Sequence, residues 1–439
     1  MKLDELKSLL QRAGVVGAGG AGFPSYAKLS DKADTVVLNC SECEPLLKLH
    51  RQVLEEYAHE IVHALKEIVT AVGAERGIIA VKKHYEGALR AVSEEILGDK
   101  QISVHALRSV YPAGDELILI KEVTGRCVPV GELPISVGVT VFNVETALNV
   151  YRALNGHPVT HKFVTIAGEV KNPITVRVPI GTGVADMIKA AGGATCDDFA
   201  VISGGPMMGR VVSVRDTVTK TTNAIIVLPK GHNVILNKTK NPKISLKRAM
   251  SVCCQCRSCT ELCSRHVLGY PVEPHTVMRV LSNGGKGYTY KLAGSLYCSG
   301  CGLCESYSCP QDLSPRALIA QLKSAARAQG ITPPKDFELE SVKDADYKKV
   351  SVERLTSRLG LKRYDLPAPI SEIAEAKAVK LLLSQHIGAP AVCTVKEGDT
   401  VRRGDPIADA KDGALSVPIH ASIDGKISEI TEKYIKIVN

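Results

Sequence analysis

Three rhythms of apolar and polar positions succeed one another along the chain. Met1 to Arg12 sets apolar residues at helical spacing among charges, which predicts an amphipathic helix. Short continuous apolar runs follow, Thr35-Val36-Val37-Leu38 and Gly77-Ile78-Ile79-Ala80-Val81-Lys82, each read as a buried strand; the second leads into a helical pattern ending near Ile96. Val139-Thr140-Val141-Phe142 repeats the motif and passes through Asn143 into another helical stretch. Strands alternating with helices predict a largely parallel sheet and an α/β domain over residues 1–158. From Lys162 to Val178 the rhythm shortens to two strands around a turn at 168–173, then a short helix over 183–191 and a strand from Ala200 into a turn at Pro206. Helical patterns return between 245 and 330, as in Pro315 to Gln329. A charged, proline-spaced stretch over 331–378 reads as a linker with helical segments. Closely punctuated short strands over 379–439 predict a small all-β unit.

Length and charge narrow the function classes. A chain of 439 residues is long for one domain and predicts several. It holds no run of eighteen apolar residues, and its charged first helix is unlike a signal peptide, so a cytoplasmic protein not integral to a membrane is expected. The net charge of +9 is spread out except over Lys230 to Arg248, read as a solvated linker. Five Phe and no Trp leave little to stack on bases, so no nucleic-acid partner is expected.

Nine of the fourteen cysteines fall between Cys253 and Cys309. Cys253, Cys256, Cys259 and Cys263 are spaced C-x2-C-x2-C-x3-C; Cys298, Cys301, Cys304 and Cys309 are spaced C-x2-C-x2-C-x4-C, with Pro310 following. Three thiolates at two-residue spacing wrap one face of a cubane, and the run repeated predicts two [4Fe–4S] clusters with the fourth Cys of each run crossing to the other cluster. That rule groups Cys253, Cys256, Cys259 with Cys309, and Cys298, Cys301, Cys304 with Cys263. Structural zinc needs only CxxC pairs, and a disulfide framework belongs to an oxidising compartment; the spacing overshoots both. Cys254 is an extra thiol beside the first run.

Polar strings end the predicted strands, where open α/β sheets bind ligands. They are Gly17-Ala18-Gly19-Gly20-Ala21-Gly22-Phe23-Pro24, Asn39-Cys40-Ser41-Glu42-Cys43-Glu44-Pro45, Tyr111-Pro112-Ala113-Gly114-Asp115-Glu116 and Asn143-Val144-Glu145-Thr146. In this order they resemble the flavin-bearing, NADH-oxidising subunit of respiratory complex I. They are more similar to the family of Rnf complex C subunits and propanediol-utilisation cobalamin reductases, with ECEP and YPxG versions of the motifs. The complex I pattern has Asn where Phe142 stands, Glu where Asp115 stands, and Ala-Asp where Cys40-Ser41 stand.

The resemblance implies FMN as cofactor and NADH as substrate. Gly19, Gly20, Gly22 and Lys28 would hold the phosphate and ribityl chain; Asn39, Glu42, Gly114, Asp115, Glu116 and Asn143 would surround the ring and its tail; Glu44 and Tyr111 would border the nicotinamide side. It implies a β-grasp domain of the soluble-ligand-binding type (SLBB) over 159–240, a two-[4Fe–4S] ferredoxin-like domain over 245–330 and a barrel-sandwich hybrid over 379–439. Carrier domains of the last type hold a lysine at a hairpin tip; here the hairpin Ser416-Val417-Pro418-Ile419-His420-Ala421-Ser422 has none, so a docking or structural module is expected. The implied function is oxidation of NADH through FMN and two clusters to an acceptor, a corrinoid or a redox protein, in the cytoplasm or inside a bacterial microcompartment. The alternative is an electron-input subunit, Rnf-C-like, of a larger reductase complex.

Overall fold

The computed structural model describes residues 1–283, 290–371 and 376–439. The helix α1 (Leu3–Arg12) buries Leu6 and Leu10 and leaves its charges outside. The strands β1 (Thr35–Cys40), β2 (Arg76–Lys82), β3 (Ile102–Leu107) and β5 (Val139–Asn143) form one all-parallel sheet in the order β3-β2-β1-β5; β4 (Val110–Tyr111) lies outside it. Both faces of the sheet are covered, which is why its strands read as continuous apolar runs. Helices α2 (Leu49–Glu56), α3 (Ala58–Val72), α4 (Glu86–Glu95) and α6 (Val144–Leu154) pack on one face, while α5 (Glu116–Thr124) covers the other with Leu119 and Ile120. After β1 the chain turns to one side for β2, and β5 takes the other side. The resulting crevice lies at the carboxyl ends of β1 and β5, where Asn39 and Asn143 are paired across the strands.

The next unit is a six-stranded sheet of β6 (His161–Gly168), β7 (Ile174–Pro179), β8 (Phe199–Ser203), β9 (Arg210–Val212), β10 (Ala224–Pro229) and β12 (Ile370–Ser371), with α7 (Val184–Ala190) closing its core. The stretch Lys230 to Arg248, expected as a solvated linker, instead forms α8 (Asn233–Thr239) and most of α9 (Pro242–Val252). Three of its lysines have protein partners: Lys230 pairs with Asp198, Lys238 Nζ donates to the carbonyls of Met207 (3.0 Å) and Gly209 (2.5 Å), and Lys240 pairs with Asp312. The cysteine-rich region follows, with α9 packed against helices Pro274–Ser282 and Pro315–Ala328 through Ala249, Met278 and Leu318.

Within 331–378 the expected helical segments stand at Ala345–Lys348, Val352–Arg358 and Lys362–Tyr364, and the part from 350 on packs onto neighbouring sheets rather than only linking; 372–375 lie outside the described residues. β11 (Val350–Ser351) pairs antiparallel with β4, setting Val350 opposite Tyr111, and β12 adds to β7. Leu355, Leu359, Leu361 and Tyr364 are buried in one cluster with Tyr111, Met207 and Leu303. The carboxyl-terminal unit holds two sheets, β13-β19-β18-β15 and β14-β16-β17, formed by β13 (Ala378–Leu382), β14 (Val392–Cys393), β15 (Thr400–Val401), β16 (Pro406–Asp409), β17 (Ile419–His420), β18 (Gly425–Ile430) and β19 (Tyr434–Val438). Its apolar interior is continuous with that of the first domain, Val379, Ile407 and Ile437 joining the cluster that contains Leu6 and Leu10.

Candidate flavin site and cluster relay

The four polar strings converge on the crevice. Asn143 caps α6, its Oδ1 accepting from Glu145 N (3.0 Å), and its amide faces the glycine loop: a Cβ on Gly19 would stand 2.5 Å from Asn143 Nδ2. The loop is pinned to the same helix by Ala18 N donating to Thr146 Oγ1 at 2.9 Å. Nothing lies within 4 Å of a Cβ built on Gly20, and Gly22 has φ +75°. Bare backbone with open space above it, against a helix amino terminus, suits a phosphate. Gly19→Ala is expected to lower bound flavin at least tenfold with the circular dichroism unchanged, measured as flavin released per chain on denaturation.

On the β1 side, Asn39 Nδ2 donates to Gly114 O at 3.2 Å while its Oδ1 accepts from Ser41 N and Oγ. Gly114 lies close against Ser41 and Cys43, an added Cβ reaching Ser41 Oγ at 3.1 Å. Glu42 is buried; one oxygen accepts from His50 N (3.2 Å) and Oε2 has no partner among the described residues. Desolvation pushes its carboxyl up to about 7, and burial pulls His50, whose Nε2 is 3.2 Å from Asn143 Nδ2, down to about 3. An orphaned buried acid oxygen beside the polar ends of β1 and β5 fits a polar ligand.

The raised Glu42 value has a measurable consequence. Below its ordinary 4.5 the group is protonated folded and unfolded; from there to about 7 the folded state holds the extra proton, so stability falls as pH rises, and the loss is complete above 7. Apoprotein carrying Glu42→Gln should lack this decline, seen as the difference between its thermal midpoint and the parent's from pH 4.5 to 8.

Other expected flavin residues have protein partners. Lys28 Nζ donates to Glu116 Oε1 (2.9 Å) and Val141 O (3.2 Å), so the two side chains neutralise each other at the crevice rim. Asp115 caps α5 through Leu117 N and Ile118 N, and its second oxygen takes both Arg265 Nε (3.1 Å) and Nη2 (2.7 Å). Glu44 accepts from Met207 N and Met208 N, both at 2.8 Å, which ties β1's loop to the turn after β8 and crowds Gly205. Tyr111, buried, donates its hydroxyl to Cys301 O at 2.7 Å. In this structure, then, Asp115, Glu44 and Tyr111 are engaged with the neighbouring domains rather than facing the crevice.

Those bonds lead to the cysteines. Cys253, Cys256, Cys259 and Cys309 line one cavity with Cys254, Gln255 and His275 on its wall. Burial and the surrounding thiols push Cys259 up to about 12. Cys263, Cys298, Cys301 and Cys304 form a second group; burial raises the buried three most, with neighbouring thiols adding to it and, for Cys304, the Glu305 carboxylate ahead of them. All fourteen cysteines are free. Among the described residues no three or more potential ligands converge on a single ion. Two groups of four thiols fit two cubanes, whose iron would supply the positive charge that buried thiolates need. Lys323 Nζ donates to Cys298 O (2.9 Å), and Ser264 Oγ is 3.8 Å from Cys301 Sγ, polar contacts of the kind that tune a cluster.

Comparison with known proteins agrees with this geometry. Residues 10–152 match the Nuo51 FMN-binding domain, 163–211 the SLBB domain, 252–314 the 4Fe-4S dicluster domain and 360–438 the RnfC barrel sandwich hybrid domain. The cobalamin reductases PduS of Citrobacter freundii and Salmonella typhimurium are each 42% identical, over 99% and 100% of this chain and 96% and 97% of their own. The chain belongs to the cobalamin reductase PduS family. It is therefore an oxidoreductase with an FMN domain and a pair of 4Fe-4S sites. The C component of the Na(+)-translocating ferredoxin:NAD(+) oxidoreductase complex of Acetobacterium woodii is 36% identical over 61% of this chain and 59% of its own.

Several residues that sequence reasoning passed over belong to the site. Lys82, almost fully buried, donates to Glu42 O at 2.6 Å, with Tyr85 OH 3.3 Å from the same carbonyl. Its burial depresses the ammonium, while nearby Cys43 and Glu42 oppose that shift. The signal was available, since Lys82 ends an apolar strand as Asn39 does. Arg265 follows Cys263 by two residues and carries the ion pair to Asp115. Lys220 is buried beneath the glycine loop, donating to Gly14 O (2.8 Å) and Pro418 O (3.1 Å), and burial lowers it to about 7. His386, from the last domain, packs against Gly22 and has a buried Nε2 without a partner among the described residues.

Proposed function

We propose that this chain oxidises NADH at FMN and sends electrons singly through two [4Fe–4S] clusters to a corrinoid; its full-length relatives are named cobalamin reductases. When bound, FMN accepts a hydride's electron pair and releases it in single steps, which the clusters can carry. Gly19, Gly20, Gly22 and Asn143 would hold the phosphate end, with Lys28 and Glu116 as a neutral rim. Asn39, Glu42 and Gly114 would meet the ring, Glu42 holding or releasing a proton at its unpaired oxygen near neutral pH. Asp115 positions the second cluster's loop through Arg265, and Glu44 and Tyr111 seal the flavin domain against its neighbours. Cys253, Cys256, Cys259 and Cys309 would ligate one cluster, and Cys298, Cys301, Cys304 and Cys263 the other.

One observation carries the reading. The loop 111–116 touches flavin-site and cluster residues at once: Gly114 O takes Asn39, Tyr111 OH reaches Cys301 O, and Asp115 grips Arg265. No helix among the described residues is long and apolar enough to cross a membrane; with so many free thiols, a reducing cytoplasmic setting, open or inside a microcompartment, suits the protein. The test is anaerobic titration of reconstituted protein with NADH, then hydroxocobalamin. Bleaching of the flavin and iron–sulfur absorbance followed by formation of cob(II)alamin supports the proposal. Reduction of viologen dyes but no corrinoid would favour an Rnf-C-like input subunit.

A further inference from the structure

A cavity of about 630 Å³ lies beyond the Tyr111 loop, walled by β4, α5, the segment 262–268 and the segment 344–349. It is separate from the void between the first-run cysteines and contains no cysteine in its lining. Its walls are next to the second cysteine group on three sides: Leu262 and Ser264 flank Cys263, Leu303 precedes Cys304, and Tyr111 reaches Cys301 O. The segment 110–114 thus turns Gly114 toward Asn39 and presents Val110, Pro112 and Ala113 to the cavity.

We propose that this cavity is the electron-exit site, where the edge of a planar, neutral, amide-bearing macrocycle of the corrinoid class takes electrons from the second cluster. The proposal rests on the corrinoid reading above. Three features select that chemistry. The volume is in the range of small-molecule sites and the interior is mainly aliphatic. Tyr347, 90% exposed, stands at the mouth, an aromatic with no burial to explain it and a face on which a conjugated ring can lie. Most charges at the rim are already matched: Arg108 with Asp346 (2.8 Å), Lys349 with Glu122 (3.1 Å) and Asp346 (3.0 Å), Lys348 with Glu261 (2.6 Å); of the other two lining charges, Lys121 donates to Gly125 O (3.0 Å) and Asp344 is a carboxylate, which repels a phosphate. A nucleotide phosphate would need unpaired cations or bare backbone N–H groups, whereas paired ions with spare lone pairs and protons can meet amides. Each transfer oxidises the cluster by one electron and lowers the cobalt by one, with NADH as the source.

The experiment uses full-length reconstituted protein carrying Tyr347→Ala or Ala345→Trp, both distant in sequence from every cysteine. NADH-dependent reduction of hydroxocobalamin and of methyl viologen are measured side by side, with flavin and iron content as the folding control. Tyr347→Ala should raise KM for hydroxocobalamin about tenfold, and Ala345→Trp should lower kcat/KM for it at least fiftyfold. Viologen reduction should stay within twofold for both. Unchanged corrinoid kinetics in both variants would overturn the location while leaving the corrinoid reading standing. A parallel loss of viologen reduction would assign these walls to the relay and overturn the site. Parent protein that reduces viologen but no corrinoid would sink the reading and the site together.

Discussion

Cys298→Ala should remove about half of the iron, leave FMN bound, and keep electrons from passing the second cluster. The two thiol groups are spatially separate: the first lines its own cavity, and Cys263, Cys301 and Cys304 each feel Cys298 as a neighbour. A cubane deprived of one thiolate is not held, whereas the flavin crevice, built from the parallel sheet and glycine loop, uses no thiol of either group. NADH should therefore still bleach the flavin while reduction of any one-electron acceptor past the second cluster falls at least a hundredfold. Iron and flavin per chain, with low-temperature EPR of the NADH-reduced protein, read this directly. Loss of flavin together with all the iron would contradict two separate sites.

Local patterns were legible in the sequence, and long-range pairings were not. The continuous apolar runs gave the parallel sheet, because burial on both faces removes any alternation. The polar ends of those runs, Asn39 and Asn143, marked the crevice because a switch point needs only chain order. What a single polar residue does there was harder to read. Glu44 looks like an exposed acid until its partners, Met207 N and Met208 N, arrive from 163 and 164 residues away; Tyr111 meets Cys301 from 190 away, and Lys220 meets Gly14 from 206 away. Charge and proline content also misled over 230–248 and 331–378. Long side chains bury their stems while their ammonium groups satisfy carbonyls, as Lys238 does, so a lysine-rich stretch becomes two packed helices.

Lys162→Met should be the most destabilising substitution of a charged residue near the site. Lys162 Nζ is bound to Glu145 Oε2 with both side chains 1% exposed, and it also donates to Asn223 Oδ1 at 2.7 Å; Glu145 Oε1 accepts from Phe163 N at 3.0 Å. The network joins the start of α6 to β6 of the following domain. Removing the cation strands a carboxylate in the interior, a loss of about 3–5 kcal/mol, or a fall on the order of 10 °C in the apoprotein's thermal midpoint. Glu145 sits between Asn143 and Thr146, which hold the glycine loop, so flavin should also bind more weakly. If the cost is the uncompensated charge, Lys162→Met combined with Glu145→Leu should recover more than half of the lost stability, because an apolar pair replaces the ion pair at little net cost. If the combined variant is no better than Lys162→Met alone, the stabilisation comes from the bonds to Asn223 and Phe163, and the pair serves to hold α6 in register beneath the flavin phosphate.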